Sequence, residues 1–293
     1  MTAAQLKQAR IKATVCAENV SLPLRSRVWR GMAGEFSGAG SGSSLDFQDH
    51  RNYVPGDDPR HINWQAYARS GNYTMKLYRE EVRPIVDIVL DVSDSMFFEE
   101  EKAIRVAEIF YTIVSTAIQA GAATNIHLIK GGSHRQLPVE AVLSDQWYHT
   151  SAELKDEHPN QAPNLENVPL RPNTIRVFIS DLLFPGDASP VIRHFTQRQG
   201  SMIILCPFSQ SEANPDWQGN YEFIDAESNN RHSHRIEPSV LRDYKKTYSK
   251  HFSLWHNAAL KHQSPLARIP SNLDLMESLQ MDAIKSGALE ISF

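Results

Sequence analysis

Only two cysteines, Cys16 and Cys206, occur in 293 residues, so no disulfide framework holds this chain together. Cys206 closes the apolar run Met202 to Leu205, where a thiol behaves as a small buried hydrophobe, and a reducing, cytoplasmic setting is expected. Long apolar runs are missing as well. No stretch approaches the roughly 20 residues of a membrane-spanning helix, and the opening MTAAQLKQARIKATV lacks the apolar core and cleavage site of a signal peptide. A basic excess is absent: 30 Lys and Arg stand against 34 Asp and Glu, a formal net charge of -4, which argues against phosphate neutralisation and so against nucleic acid as the partner. The sequence also carries no GxSxG elbow, no HExxH pair and no GxxxxGK[ST] cradle, and it nominates neither a hydrolase triad nor a zinc peptidase nor a nucleotide loop.

What remains is an ordinary globular balance, 41% hydrophobic and 22% charged, in a chain long enough to bury a core without staples. A short helix is expected over residues 2 to 20, with Leu6, Ala13 and Ala17 on one face. The Gly/Ser-rich stretch from Gly34 to Ser44 reads as a mobile loop. Pro55-Gly56-Asp57-Asp58-Pro59 is turn chemistry, followed by a short helix from Arg60 to Arg69 and an alternating strand from Tyr73 to Tyr78.

From Ile85 the pattern changes to strands alternating with helices. IVDIVL at 85 to 90 is a β-branched run too short for a helix. Ala103, Ala107, Phe110, Val114 and Ala117 then recur at helical spacing up to Gly121. Further strands are expected at Thr124 to Lys130, after Gly131-Gly132, at Thr174 to Ser180 and at Ser201 to Cys206, with a last pair at Tyr221 to Asp225 and Ser233 to Ile236. Helices are expected around Val139 to Leu154, at Pro190 to Gln199 and from Pro238, where an aromatic stripe marks a core face. Ser271 and Asp274 suggest a capping box for a closing helix through Ile284. This alternation predicts an α/β fold, a doubly wound, mostly parallel sheet flanked by helices. It divides the chain into an N-terminal extension, 1 to 84, and an α/β domain, 85 to 293.

Such sheets collect ligands at the carboxyl ends of their strands. Asp91-Val92-Ser93-Asp94-Ser95 stands at one such end, within a tract from Asp87 to Glu101 that holds six acids and no base. Asp91, Ser93 and Ser95 alternate, so their oxygens reach one side of the turn as a hard donor set suited to Mg²⁺ or Mn²⁺. Asp181, at the end of a second strand, adds a carboxylate if the two strands are neighbours. Helix capping by the same residues is the competing reading. His232 and His234 share a face of a presumed strand, with no third ligand in view.

LDVSDSM, a DxSxS motif after a hydrophobic strand, resembles the metal-ion-dependent adhesion site of von Willebrand factor A domains. FQDHRNYVPGDDPRHINWQAYARSGNYTMKLYREE, from Phe47 to Glu81, resembles the signature of the domain of unknown function 58 family, whose members carry a von Willebrand A-like domain. The resemblance implies an ion held by Asp91, Ser93, Ser95 and Asp181, with Thr150 in the interval of the family's middle threonine but outside its usual Thr-Pro or glycine context. It also implies a role rather than a reaction: an adaptor acting with a MoxR-type AAA+ ATPase on a client protein. In the signature, Asp57 and Asp58 are placed to accept bonds from Arg60, Arg51 or Arg69 above Trp64. That arrangement reads either as a buried ionic knot or as a partner-binding surface made of Asp57, Asp58, Arg60, Trp64 and Arg69. A Mg²⁺-dependent hydrolase or phosphotransferase using Asp91 is the alternative. It is disfavoured because Ser93 stands where aspartyl phosphatases place a second aspartate.

Overall fold

A computed structural model describes residues 1–24, 45–80, 84–156, 162–226 and 230–292; the Gly/Ser-rich stretch 34–44 lies outside them. The chain divides into two units, Met1–Ala33 together with Pro84–Phe293, and Gly34–Arg83. Helix α1, Ala3–Ala17, opens on a capping box between Thr2 and Gln5. Its buried stripe is Leu6, Ala9, Ala13 and Cys16, at helical spacing, while Val15 faces solvent. A short strand β1, Val20–Ser21, follows.

In the smaller unit, strands β2, Leu45–Asn52, and β3, Thr74–Glu80, pair antiparallel. Between them come a single 3-10 turn, Pro59–His61, and helix α2, Trp64–Ser70. Asn63 caps α2 at its start, and Gly71, at φ +70°, ends it in the left-handed conformation that glycine tolerates. Ile62 and Met75 are the buried apolar side chains described in this unit.

The larger unit is built on a six-stranded sheet. Strand β4, Ile85–Asp91, is buried from Val86 onward, which is why it reads as an uninterrupted apolar run rather than an alternation. Helix α3, Glu100–Gln119, leads to β5, Ala123–Lys130, and to β6, Ser133–Leu137. The helix expected near 139–154 is two, α4, Val139–Leu143, and α5, Gln146–Glu153, because Asp145 between them adopts φ +65°. Its carboxylate accepts the Tyr111 hydroxyl at 2.7 Å. Next come β7, Ile175–Ile179, helix α6, Ala188–Thr196, β8, Ser201–Phe208, and a one-turn helix α7, Gln210–Ala213.

Strands β9, Gly219–Ile224, and β10, Arg231–Ile236, pair with each other and, among the described residues, with no other strand, so the expected final pair is not part of the main sheet. Helix α8, Pro238–Lys261, carries the aromatic stripe. The strand that completes the sheet is β11, Leu266–Pro270. Asp274, not Ser271, caps the closing helix α9, Leu275–Ser278, which continues as a π turn over Leu279–Ala283. Strand β12, Glu290–Ile291, pairs with β1.

The order across the sheet is β11-β8-β7-β4-β5-β6. Five strands run parallel and β6 runs antiparallel at one edge. The fold is therefore α/β with a mixed sheet flanked by helices. Val86, Ile88 and Leu90 join one core with Val106, Phe110 and Val114 of α3. Val89 and Phe178 join a second core with Phe195 of α6 and Phe252 and Trp255 of α8. From β4 the chain moves outward to β5 and then crosses back to β7 on β4's other side, so the order reverses between β4 and β7. At that point the flanking loops part and leave a crevice.

Candidate functional site at the carboxyl ends of the central strands

Asp91 is the last residue of β4, and Asp181 lies two residues beyond β7. Because the two strands are neighbours, their tips line one small cavity of about 70 Å³, together with Ser93, Ser95, Asp156 and Gly131. The structure thus brings together four of the five residues expected as ligands. Thr150 is not among them: it sits on α5, where its hydroxyl donates to the Gln146 carbonyl at 3.2 Å. Asp156 is the lining carboxylate that the sequence did not single out. It packs on Gly131, where a Cβ would fall 1.9 Å from an Asp156 oxygen, and its place in a proline-rich loop gave no periodic signal.

Each acid is held by groups of the chain itself. Asp91 Oδ1 accepts the Ser93 amide at 3.0 Å, and Oδ2 accepts the Ser180 hydroxyl at 2.8 Å. Burial pushes the Asp91 carboxyl up to about 7, the negative charge of Asp181 adds to the rise, and the bonds from Ser180 and Ser93 oppose it. Asp181 Oδ1 accepts the Leu183 amide at 3.1 Å, and Oδ2 accepts the Lys102 ammonium at 2.8 Å. Lys102, wholly buried on α3, also donates to Glu212. Desolvation opposes its charge, but the carboxylates of Asp181 and Glu212 outweigh that and raise its pKa. Between the acids and the next turn, buried Leu182 adopts φ +60°, an uncommon conformation for a non-glycine residue. It is pinned by its amide to Ser180 Oγ at 3.1 Å and by its carbonyl to the His251 ring at 2.8 Å.

The expected Mg²⁺ or Mn²⁺ centre is corrected here. Among the described residues, no group of three or more His, Cys, Asp or Glu side chains is placed to hold one ion. The physical reason lies in Lys102: its ammonium, 2.8 Å from Asp181 Oδ2, already neutralises that carboxylate from within the chain, so a second cation there meets a like charge. Among the described residues, the lining offers carboxylates, hydroxyls and the apolar rim of Leu183, Phe184 and Pro185.

In the smaller unit, Arg51 and Asp57 form a two-pronged pair at 2.7 and 2.6 Å, and Asp57 also accepts the Val54 amide at 2.9 Å. Asp58 caps the 3-10 turn and pairs with Arg60 at 2.6 Å. The Arg51 bond holds the Asp57 carboxyl below the usual carboxylate range, and the Arg60 bond takes Asp58 down to about 2. The buried ionic knot is corrected, since Arg60 is 86% exposed and Trp64 is 57% exposed. Arg69 is exposed and joins neither acid. Trp64 meets Tyr67 and Tyr73 edge-on, and the two tyrosines stack with centroids 4.5 Å apart. His232 and His234 lie on exposed β10 with ring centroids 6.4 Å apart and no third ligand among the described residues. No described helix is long and apolar enough to cross a membrane.

No curated protein matches the chain. Two solved structures are similar to it at low identity. One is an aerotolerance-related membrane protein from Bacteroides fragilis, 14% identical, covering 60% of this chain and 99% of that chain with a TM-score of 0.32. The other is the conserved hypothetical protein BatB from Bacteroides thetaiotaomicron, 10% identical, covering 69% and 98% with a TM-score of 0.35. The family model described as protein of unknown function DUF58 matches residues 49–253. That match takes in the Asp57–Arg60 turn, the aromatic cluster, Asp91 and Asp181, and the chain belongs to the DUF58 family.

Proposed function

We propose that this chain is a non-enzymatic protein-binding module of the cytosol that works with a MoxR-type AAA+ ATPase in assembling or activating a client protein. The observation that carries the reading is the exposed aromatic cluster of the smaller unit. Trp64 at 57% and Tyr73 at 47% exposure meet each other and Tyr67 in one cluster, and Trp, Tyr and Arg are the residues that dominate protein interfaces when a partner desolvates them. The exposed Arg60 and Arg69 add charge for an acidic partner surface. A von Willebrand A-like reading of the larger unit is supported by the strand order, reversing between β4 and β7, and by the shared cavity of Asp91, Ser93, Ser95 and Asp181. In this reading the adhesion-site residues survive as an internally neutralised scaffold, with Lys102 as the cation.

The experiment is binding of the purified chain to a MoxR-type ATPase by calorimetry, with Trp64→Ala and Tyr73→Ala as variants. A wild-type complex that weakens by about tenfold or more in Trp64→Ala, with the unfolding midpoint unchanged, supports the proposal. Absence of a wild-type complex, or equal affinity in both variants, sinks it.

A further inference from the structure

Arg268 is a charged side chain that the site above leaves unused. It stands on β11, on the face turned toward α8, and its guanidinium lies over three rings, 4.3 Å from the centroid of Phe208, 3.9 Å from Phe252 and 5.1 Å from Tyr248. One Nη donates to the Tyr248 hydroxyl at 2.6 Å. Nε is buried and has no acceptor among the described residues. The nearby Asp282 carboxylate does not neutralise the guanidinium as an ion pair; it accepts Arg268's own backbone amide at 2.7 Å. Stacking on aromatic faces fixes the planar fork without consuming its charge. An arginine held this way, with donor capacity left over, is pre-organised for an anion.

The fork opens on a groove of about 700 Å³ that is also lined by Lys285, His256, Asn257, Ser249 and Ser253, the Ser253 hydroxyl donating to the Ser249 carbonyl at 2.8 Å. Lys285, His256 and Asn257 are exposed. Against Arg268 and Lys285 stands one lining carboxylate, Asp282. We propose that this groove binds a phosphate group. Against the two cations Arg268 and Lys285, a carboxylate brings two oxygens and one negative charge, whereas a phosphate offers three oxygens and up to two negative charges. The volume lies within the range of small-ligand sites, roughly 300 to 1,000 Å³. The phosphate is carried either by a free small molecule or by a phosphorylated side chain, and both present the same group to Arg268.

The test is calorimetric titration of the full chain with inorganic phosphate and with O-phosphoserine, at ionic strength matched by chloride, with acetate as the carboxylate control. Phosphate binding without acetate binding is expected. Lys285→Gln should weaken it by about tenfold, the loss of one charge-assisted bond, with an unchanged unfolding midpoint because Lys285 is exposed. Arg268→Lys should weaken it at least as much; if that variant misfolds, Lys285→Gln carries the test alone. O-phosphoserine binding more tightly than phosphate assigns the groove to a phosphorylated side chain, and equal or weaker binding assigns it to a free phosphate. No binding of either probe, acetate matching phosphate, or unchanged affinity in Lys285→Gln overturns the proposal.

Discussion

Asp91 is a carboxyl whose proton is retained by burial, and this gives it a pH signature. The unfolded chain releases that proton near the ordinary value of 3.8, and the folded chain near 7. Between those values the native state binds one proton more than the unfolded state, so stability falls as pH rises through the window. The slope for one isolated group is about 1.4 kcal/mol per pH unit, about 4 kcal/mol across the window. Asp91→Asn has no proton to lose. Measured by denaturant unfolding, its stability relative to wild type is expected to improve steadily from pH 4 to 7 and then level off. A constant difference over that range would mean that Asp91 is ionised throughout. Lys102 gives the complementary test. Lys102→Met leaves Asp181 and Glu212 without their shared ammonium, and removing one partner of a buried pair costs about 3 to 5 kcal/mol. In wild type, Mg²⁺ or a chelator should leave the unfolding midpoint where it was; a metal-dependent rise would contradict the role given to Lys102.

Among the elements, β7 and α6 are joined by a side chain that no sequence pattern announces. Arg176, fully buried on β7, donates to the carbonyls of Phe195 at 2.8 Å and Gln197 at 2.9 Å, satisfying the end of α6. Gly200 makes room for it: a Cβ there would lie 2.4 Å from the Arg176 guanidinium and 2.6 Å from the Phe195 carbonyl. Gly200→Ala is therefore expected to lower stability by about 1 to 3 kcal/mol, the range for overpacking. An unfolding curve superimposable on wild type would show that Arg176 relocates freely. The same contrast explains what was legible beforehand. β4, α3, β7 and β8 announce themselves because burial on both faces, or on one helical stripe, leaves a regular apolar pattern. Asp91 and Asp181 were legible as strand ends for the same reason. β11 was not, since Leu266–Pro270 contains Arg268, whose burial depends on Phe208 and on the rings of Phe252 and Tyr248, 16 and 20 residues back in α8. Lys102 was hidden by its place in an acidic first turn, where a lysine reads as a surface counter-charge until the fold carries it beneath Asp181.

At the scale of the whole molecule, the two units differ in what holds them. The larger one buries two apolar clusters against both faces of a six-stranded sheet. The smaller one rests, among its described residues, on a two-stranded ladder, one short helix and the burial of Ile62 and Met75. Two strands alone are marginal in water, and its ion pairs Arg51–Asp57 and Arg60–Asp58 are solvated enough to contribute little. Local opening of β2 and β3 should therefore require far less free energy than opening of β4 or β7. Native-state hydrogen exchange tests this directly. The amides of Met75 and Lys76 are expected to exchange orders of magnitude faster than those of Ile88 and Val177, with a weaker denaturant dependence, since opening the smaller unit exposes less surface than global unfolding. Equal protection in the two units would mean that they unfold as one cooperative block. Where the difference holds, the unit that carries Trp64 and Tyr73 opens while the sheet that positions Asp91 and Asp181 stays folded.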